Sequence, residues 1–201
     1  MRPITFHLPI SLPQFHYTMT YGKDVDDMVI NAYLTLIQSR AATNPAFPTV
    51  TLLSTYFYKF LKSPGERLVA MSEFKTNLFD NELLICPIHS VNHWSLVVVL
   101  VKYKLILYAD SMGVLEEQHE KWLNGPLPTG WDIGLFPIAL PRQPPASREC
   151  GPFVLEFADY VSRRIINVSF PSNSGPLIRE RIVYELVNKK LLSRHCNPSF
   201  F

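Results

Sequence analysis

Cys150 is followed by Gly151 and Pro152 and then by Phe153, Val154, Phe157, Ala158, Val161 and Ile165, an apolar stripe of helical period with proline in its first turn. The spacing predicts a helix whose N-terminus carries the cysteine, where the helix dipole and unpaired backbone N–H groups stabilise a thiolate. Gly151 lets another backbone or a substrate approach closely. A cysteine taken alone is more ordinarily a small buried hydrophobe, and Cys86, inside the apolar run Leu83 to Ile88, is read that way. Cys196, near the end of the chain, is given no role.

A thiolate needs a base and a group to orient it. Trp94 to Val101 and Lys104 to Tyr108 are short β-branched and aromatic runs that read as two arms of a hairpin. His93 and Asp110 are equidistant from a turn centred between Val101 and Lys102, which would set them directly opposite each other, with Cβ atoms about 4.5–5.5 Å apart. A turn centred one residue away shifts the facing pair. By themselves the two also fit a satisfied edge histidine and a turn-forming aspartate before Ser111-Met112-Gly113. Joined to Cys150 they make a nucleophile, a base and a carboxylate orienter, the combination of acyl-transfer enzymes. Gln143, seven residues before Cys150 on a Pro-rich loop, can offer a side-chain N–H to an oxyanion beside the Cys150 backbone N–H; an ordinary solvated glutamine is the alternative.

The elements that must position these groups are legible in outline. From Asp24, apolar residues at Val25, Met28, Val29, Ala32, Tyr33, Leu36 and Ile37 follow the i, i+3, i+4, i+7 pattern of an amphipathic helix with Asp24 or Asp26 near its N-cap. A second helix is expected from near Ser54, carrying Tyr56, Phe57, Phe60 and Leu61 and stopping at Ser63-Pro64-Gly65. Leu83 to Ile88 precedes the two hairpin runs as a further strand, and Trp94 to Val101, apolar on both faces, is expected to be a central strand. Helical patterns return at Leu115 to Leu123, Phe153 to Ile165 and Leu177 to Leu192. Helices, then strands, then helices give an α+β class with a central, mostly antiparallel or mixed sheet flanked by helices.

Composition bounds the function. The 201 residues are 47% hydrophobic and 18% charged, with 19 Lys+Arg against 17 Asp+Glu, so neither disorder nor an electrostatic nucleic-acid binder is indicated. One domain over residues 1–201 is expected, since no linker or repeat divides the chain. The longest purely apolar run, Leu96 to Val101, is far short of the roughly 20 residues of a membrane helix, and no basic start followed by an apolar stretch opens the chain. A non-secreted, intracellular protein is expected. Three cysteines without a CxxC pair argue against a disulfide framework and a structural zinc site.

The blocks Asp27-Met28-Val29-Ile30-Asn31-Ala32-Tyr33, Ser54 to Leu61, Pro87-Ile88-His89 with His93-Trp94-Ser95-Leu96, Tyr108 to Gly113, and Gln143 with Glu149-Cys150-Gly151-Pro152-Phe153 occur in this order. Together, over roughly Tyr21 to Leu192, they resemble the catalytic domain of the Ulp1/SENP family, cysteine proteases that cut after the terminal Gly-Gly of SUMO and related modifiers. The resemblance implies the papain-like fold of the Ulp1 type, with Cys150 as nucleophile, His93 as general base and acid, Asp110 as its orienter and Gln143 as oxyanion donor. It also implies substrate-binding roles for Trp94, which would cover a tunnel admitting only a Gly-Gly tail, for His89 over that tail, and for Asp27 against a basic residue of the modifier. Trp94 also reads as a core tryptophan, and Asp26 and Asp27 also read as helix N-terminal residues.

The short Pro-Ile-His-x-x-x-His-Trp segment favours SUMO over the modifier removed by deneddylases. A protease for that or another ubiquitin-like modifier, or a catalytically impaired SUMO-binding module, are the alternatives; no cofactor or metal, no nucleic acid or membrane partner, a monomer, and a nuclear or cytoplasmic location are the further expectations. Four features depart from the family pattern: Asp24 stands at the position of a tunnel tryptophan, Gln143 lies one residue further from the cysteine, Glu149 replaces an aspartate, and the stretch from Asp110 to Cys150 is short.

Overall fold

A computed structural model describes residues 12–63, 78–90, 92–113, 129–135 and 140–193. The helix patterned at Leu115 to Leu123, the Pro64-Gly65 stop and Cys196 lie outside the described residues. In chain order the regular elements are α1 (Leu12–Met19), α2 (Asp27–Thr43), β1 (Val50–Leu52), α3 (Phe57–Lys62), β2 (Leu83–Ser90), β3 (His93–Leu100), β4 (Leu105–Ala109), β5 (Asp132–Leu135), α4 (Cys150–Val161) and α5 (Gly175–Val187).

Of the two candidate caps for α2, Asp26 is the one used: the Val29 N–H donates to Asp26 Oδ1 at 3.0 Å, satisfying one of the four amides a helix start leaves open. Val29, Ile30, Tyr33, Leu34 and Ile37 are then buried along one face. The second helix begins at Phe57 rather than near Ser54, because Ser54 to Tyr56 form a turn closed by the Phe57 N–H on the Ser54 carbonyl. Asn31 of α2 pins that turn, accepting from the Thr55 N–H and donating to Thr55 Oγ1.

The sheet runs in the order β1-β2-β3-β4-β5 and is mixed: β2, β3 and β4 are antiparallel, and β1 and β5 join the two edges in parallel. The strand apolar on both faces, β3, is the central one, and α4 packs across it. β1 and β5, three and four residues long, carry too little alternation to stand out in the sequence.

The hairpin register differs from the expected one. A 3₁₀ turn over Val101–Tyr103 followed by Lys104 in the left-handed region (φ 51°) makes the connection one residue longer on its far side, and the pairs are Leu96↔Ala109, Val97↔Tyr108 and Leu100↔Leu105. Extended past the ladder, this register sets Asp110 level with Ser95, not with His93. His93 and Asp110 are therefore diagonal neighbours. Because the displacement is an even number of residues, both remain on one face, within reach of each other's side chains.

Helix α4 is apolar nearly all round and buried at Phe153, Val154, Leu155, Phe157 and Ala158, as befits a helix enclosed by sheet, α2 and α5. It ends at Val161, four residues short of Ile165, where Arg164 turns the chain with φ 62°. Helix α5 stops at Val187, ahead of Leu192. One buried cluster runs from Phe15 to Leu191 through α2, β3, α4 and α5, and a smaller one, with Leu53, Phe57, Tyr58, Cys86 and Ile88, lies under α3. Cys86 is buried there with its thiol pushed up to about 12 by burial, so it is no nucleophile.

Candidate active site

His93 opens β3 immediately after Asn92, whose left-handed backbone (φ 60°) makes the turn out of β2. Asp110 follows the last residue of β4. The His93 Nε2–H donates to Asp110 Oδ1 at 2.9 Å, which leaves Nδ1 for the Cys150 sulfur, a neighbour close enough to be among the groups that raise the ring's pKa. Strand β3, the end of β4 and the N-terminus of α4 thus bring the three sequence-predicted groups together.

Asp110 is held on every side. Its Oδ1 also accepts the Met112 N–H at 2.7 Å and the Gly113 N–H at 3.3 Å, and its Oδ2 accepts the Tyr108 hydroxyl at 3.2 Å. Gly113 is left-handed (φ 71°) and lies on the Arg142 guanidinium, which donates to the Asp110 carbonyl at 3.1 Å; a Cβ there would stand 1.7 Å from Arg142 Nη1. Burial alone would raise the Asp110 carboxyl, but the hydrogen bond and charge of His93, with the Met112 amide and Tyr108 hydroxyl, hold it below the usual range. Burial likewise pushes the His93 imidazolium down. The hydrogen bonds to Asp110 and Cys150 and the negative charge of both outweigh it and raise His93 from 6.5 to about 9. The ring is 14% exposed, so this charge is screened only in part.

Cys150 is buried at the first position of α4, with Glu149 at the cap. Gly151 is needed for close approach, and what approaches is the side chain of Val25: a Cβ on Gly151 would lie 2.7 Å from Val25 Cβ. The absence of a side chain at Gly151 is thus used for packing against Val25. Val25 also accepts the Trp94 indole N–H on its carbonyl at 2.9 Å. Trp94 is buried, and His89 lies over it with ring centroids 4.4 Å apart. Trp94 packs in the core cluster, as a core tryptophan would, and it also lines a cleft of about 520 Å³ together with Val25, Asp27, Tyr56, Lys59 and His89. Asp27 accepts the Tyr56 hydroxyl at 2.8 Å on the cleft rim, and that bond with the carboxylate charge raises the Tyr56 phenol.

Gln143 is tied between the two halves of the site. Its Oε1 accepts the Ser111 hydroxyl at 2.7 Å, its Nε2 donates to the Ser147 carbonyl at 3.1 Å, and its backbone N–H donates to the Ser111 carbonyl. The extra residue before the cysteine is absorbed by a turn in which Ser147 N–H reaches the Pro144 carbonyl and Ala146 takes φ 57°.

Sequence reasoning missed Arg179. Its buried guanidinium donates to Glu149 Oε2 at 2.9 Å and to the carbonyls of Thr18, Lys23 and Arg148, fastening α5 to the residue before the nucleophile and to the segment leading into Val25. The signal was available: Gly175, Ile178, Arg179, Ile182 and Leu186 fall on one helical face, so a charge stands among core positions. No group of three or more His, Cys, Asp or Glu that could hold a metal ion occurs among the described residues. Nor is any helix there long and apolar enough to cross a membrane.

Comparison with known proteins gives the family of the chain. The family model described as Ulp1 protease family, C-terminal catalytic domain, matches residues 23–126, just over half the chain. The chain belongs to the Ulp1 protease family. The matched span takes in His93 and Asp110 and ends before Gln143 and Cys150. The chain is 35% identical over 182 residues to rat Sentrin-specific protease 2, 33% to the human protein of that name and 31% to a Sentrin-specific protease of Caenorhabditis elegans. In each case 84% of this chain is covered, but it spans only 30%, 30% and 26% of those relatives. Among solved structures, the C-terminal Ulp1 protease domain in complex with Smt3, the yeast ortholog of SUMO, superposes with a TM-score of 0.70 at 19% identity, covering 89% of this chain and 83% of that one. Ulp1 with its catalytic cysteine oxidised to a sulfenic acid gives 0.72 at 20%, covering 91% and 85%. The mixed sheet with flanking helices is the fold of this Ulp1 family member.

Proposed function

We propose that this chain hydrolyses the peptide or isopeptide bond after the C-terminal Gly-Gly of a SUMO-like modifier. The observation that carries the proposal is the His93 ring, bonded at Nε2 to a fully anchored Asp110 and raised in pKa by the neighbouring Cys150 as well as by Asp110, beside the cleft under Trp94 and His89. The likeness to proteins named Sentrin-specific protease and to a Ulp1 domain bound to a SUMO ortholog supports the choice of modifier.

In the proposed reaction the Cys150 thiolate adds to the carbonyl carbon of the terminal glycine. The oxyanion forms against the Cys150 backbone N–H, which a helix start leaves without an intrahelical partner, and against the remaining amide hydrogen of Gln143. The C–N bond breaks as imidazolium His93 gives its Nδ1 proton to the departing amine, and a thioester remains on Cys150. Water, giving a proton back to His93, then attacks the thioester and releases the modifier's carboxylate and the thiol. Asp110 keeps the ring aimed throughout and favours its charged form whenever it holds both protons, without itself taking one. Asp27, with Tyr56 on the rim, would meet a basic residue of the modifier.

Fluorogenic C-terminal derivatives of SUMO, of ubiquitin and of the modifier removed by deneddylases, assayed side by side, test this. Faster turnover of SUMO, abolished by Cys150→Ala, is expected. Turnover of another modifier in preference to SUMO would overturn the substrate assignment, and binding without turnover of any would overturn the hydrolytic one.

A further inference from the structure

One nitrogen of Arg179, Nη2, donates to both the Lys23 and Arg148 carbonyls at 2.7 Å, so the backbone leading into the cleft wall and the backbone leading into the nucleophile helix are held side by side. Outside this buried clamp the next side chains along meet. Arg148 Nη1 lies 2.9 Å from Asp24 Oδ2, across 124 residues of sequence. Asp24 lines the cleft beside Val25, and Arg148 stands two residues before Cys150. The ion pair therefore ties a cleft-lining residue to the segment before the nucleophile, and the neighbouring residues Val25 and Gly151 pack against each other. Both side chains are about half exposed (54% and 53%), unlike the buried Arg179–Glu149 pair beneath them.

An apolar side chain at Asp24 would be a permanent wall, indifferent to salt. An exposed ion pair is held weakly and is screened by ions within about a Debye length, roughly 10 Å at 0.1 M salt. We infer that Asp24 and Arg148 are specificity-determining residues that latch the tail channel, and that a Gly-Gly tail reaching Cys150 from the cleft must part them. The latch presupposes the tail hydrolysis proposed above. It makes admission of an uncharged tail dependent on ionic strength, and it sets a cost that small thiol reagents, which need no channel, do not meet.

The test uses the intact chain and two probes: a neutral peptide ending in a Gly-Gly vinyl sulfone, whose alkene carbon the Cys150 thiolate adds to, and iodoacetamide. The quantity read is the ratio of their second-order rates at Cys150. In the wild type this ratio rises from low to high salt. Asp24→Asn and Arg148→Gln each raise it at low salt by about 1.5- to 5-fold, the range expected of an exposed pair, and each flattens its salt dependence. The double variant gains no more than either single one. Reversing the pair, Asp24→Arg with Arg148→Asp, restores the wild-type ratio and slope. A fall in either single variant would mean that the residue grips the tail instead, and unchanged ratios would mean that the pair lies off its path; either result overturns the latch while leaving hydrolysis intact. Failure of every variant to react with the peptide probe, while iodoacetamide still labels Cys150, would remove the functional proposal and the latch with it.

Discussion

Asp110→Asn separates the charge of Asp110 from its geometry. Three N–H groups, from His93, Met112 and Gly113, converge on Oδ1, so an asparagine places its carbonyl oxygen there and turns its amide towards the Tyr108 oxygen, which can accept instead of donate. The ring should stay where it is. The rise of His93 from 6.5 to about 9 corresponds to about 3 kcal/mol in favour of the charged ring. That is what remains after burial, the largest single influence, has acted against it. Without the Asp110 charge, burial is opposed only by Cys150 and by a weaker hydrogen bond to a neutral oxygen, and His93 falls to about its ordinary value. At about pH 7.5 the charged fraction then drops from nearly complete to roughly a tenth, and kcat/KM falls by about 10- to 100-fold. The sign is fixed by the chemistry: above its pKa His93 is neutral and can neither pair with the thiolate nor protonate the leaving amine. Wild-type kcat/KM for a fluorogenic SUMO derivative should therefore hold up to an alkaline limb near 9, and the limb should move to neutral pH or below in Asp110→Asn. A limb that stays near 9 in the variant would refute the assignment of the His93 shift to Asp110.

The same shift makes stability pH-dependent: a raised histidine contributes fully below 6.5 and loses its contribution as pH passes about 9. Wild-type Tm should fall over that window by about 6–12 °C more than that of His93→Gln in parallel thermal melts. Arg179→Met leaves Glu149 buried without its cation and should lower stability to denaturant by about 3–5 kcal/mol, much of it regained when Glu149→Leu is added. Gly151→Ala puts a methyl 2.7 Å from Val25 Cβ and should cost about 1–3 kcal/mol by the same assay, relieved by Val25→Ala.

The nucleophile helix is legible in the sequence because Pro152 and the stripe from Phe153 to Val161 obey one period, and β2, β3 and β4 because their β-branched runs are long enough to show. His93 and Asp110 are correctly paired despite a misplaced turn, since an even displacement keeps them on one face. Lys104, forced into a left-handed conformation that its residue type does not advertise, is why the turn centre is off. β1 and β5 need the neighbouring strand to define them. The Asp24–Arg148 contact joins exposed residues with no local pattern linking them, whereas Arg179 betrays itself only as a charge among apolar positions of α5.

The proposed nucleophile is tested most directly by reacting the protein with a SUMO C-terminal vinyl sulfone and mapping the adduct by peptide mass. One modifier per chain, attached at Cys150 and formed far more slowly in His93→Ala, is the predicted result. An adduct at Cys86, or equal rates at Cys150 with and without His93, would contradict a thiolate activated by that ring.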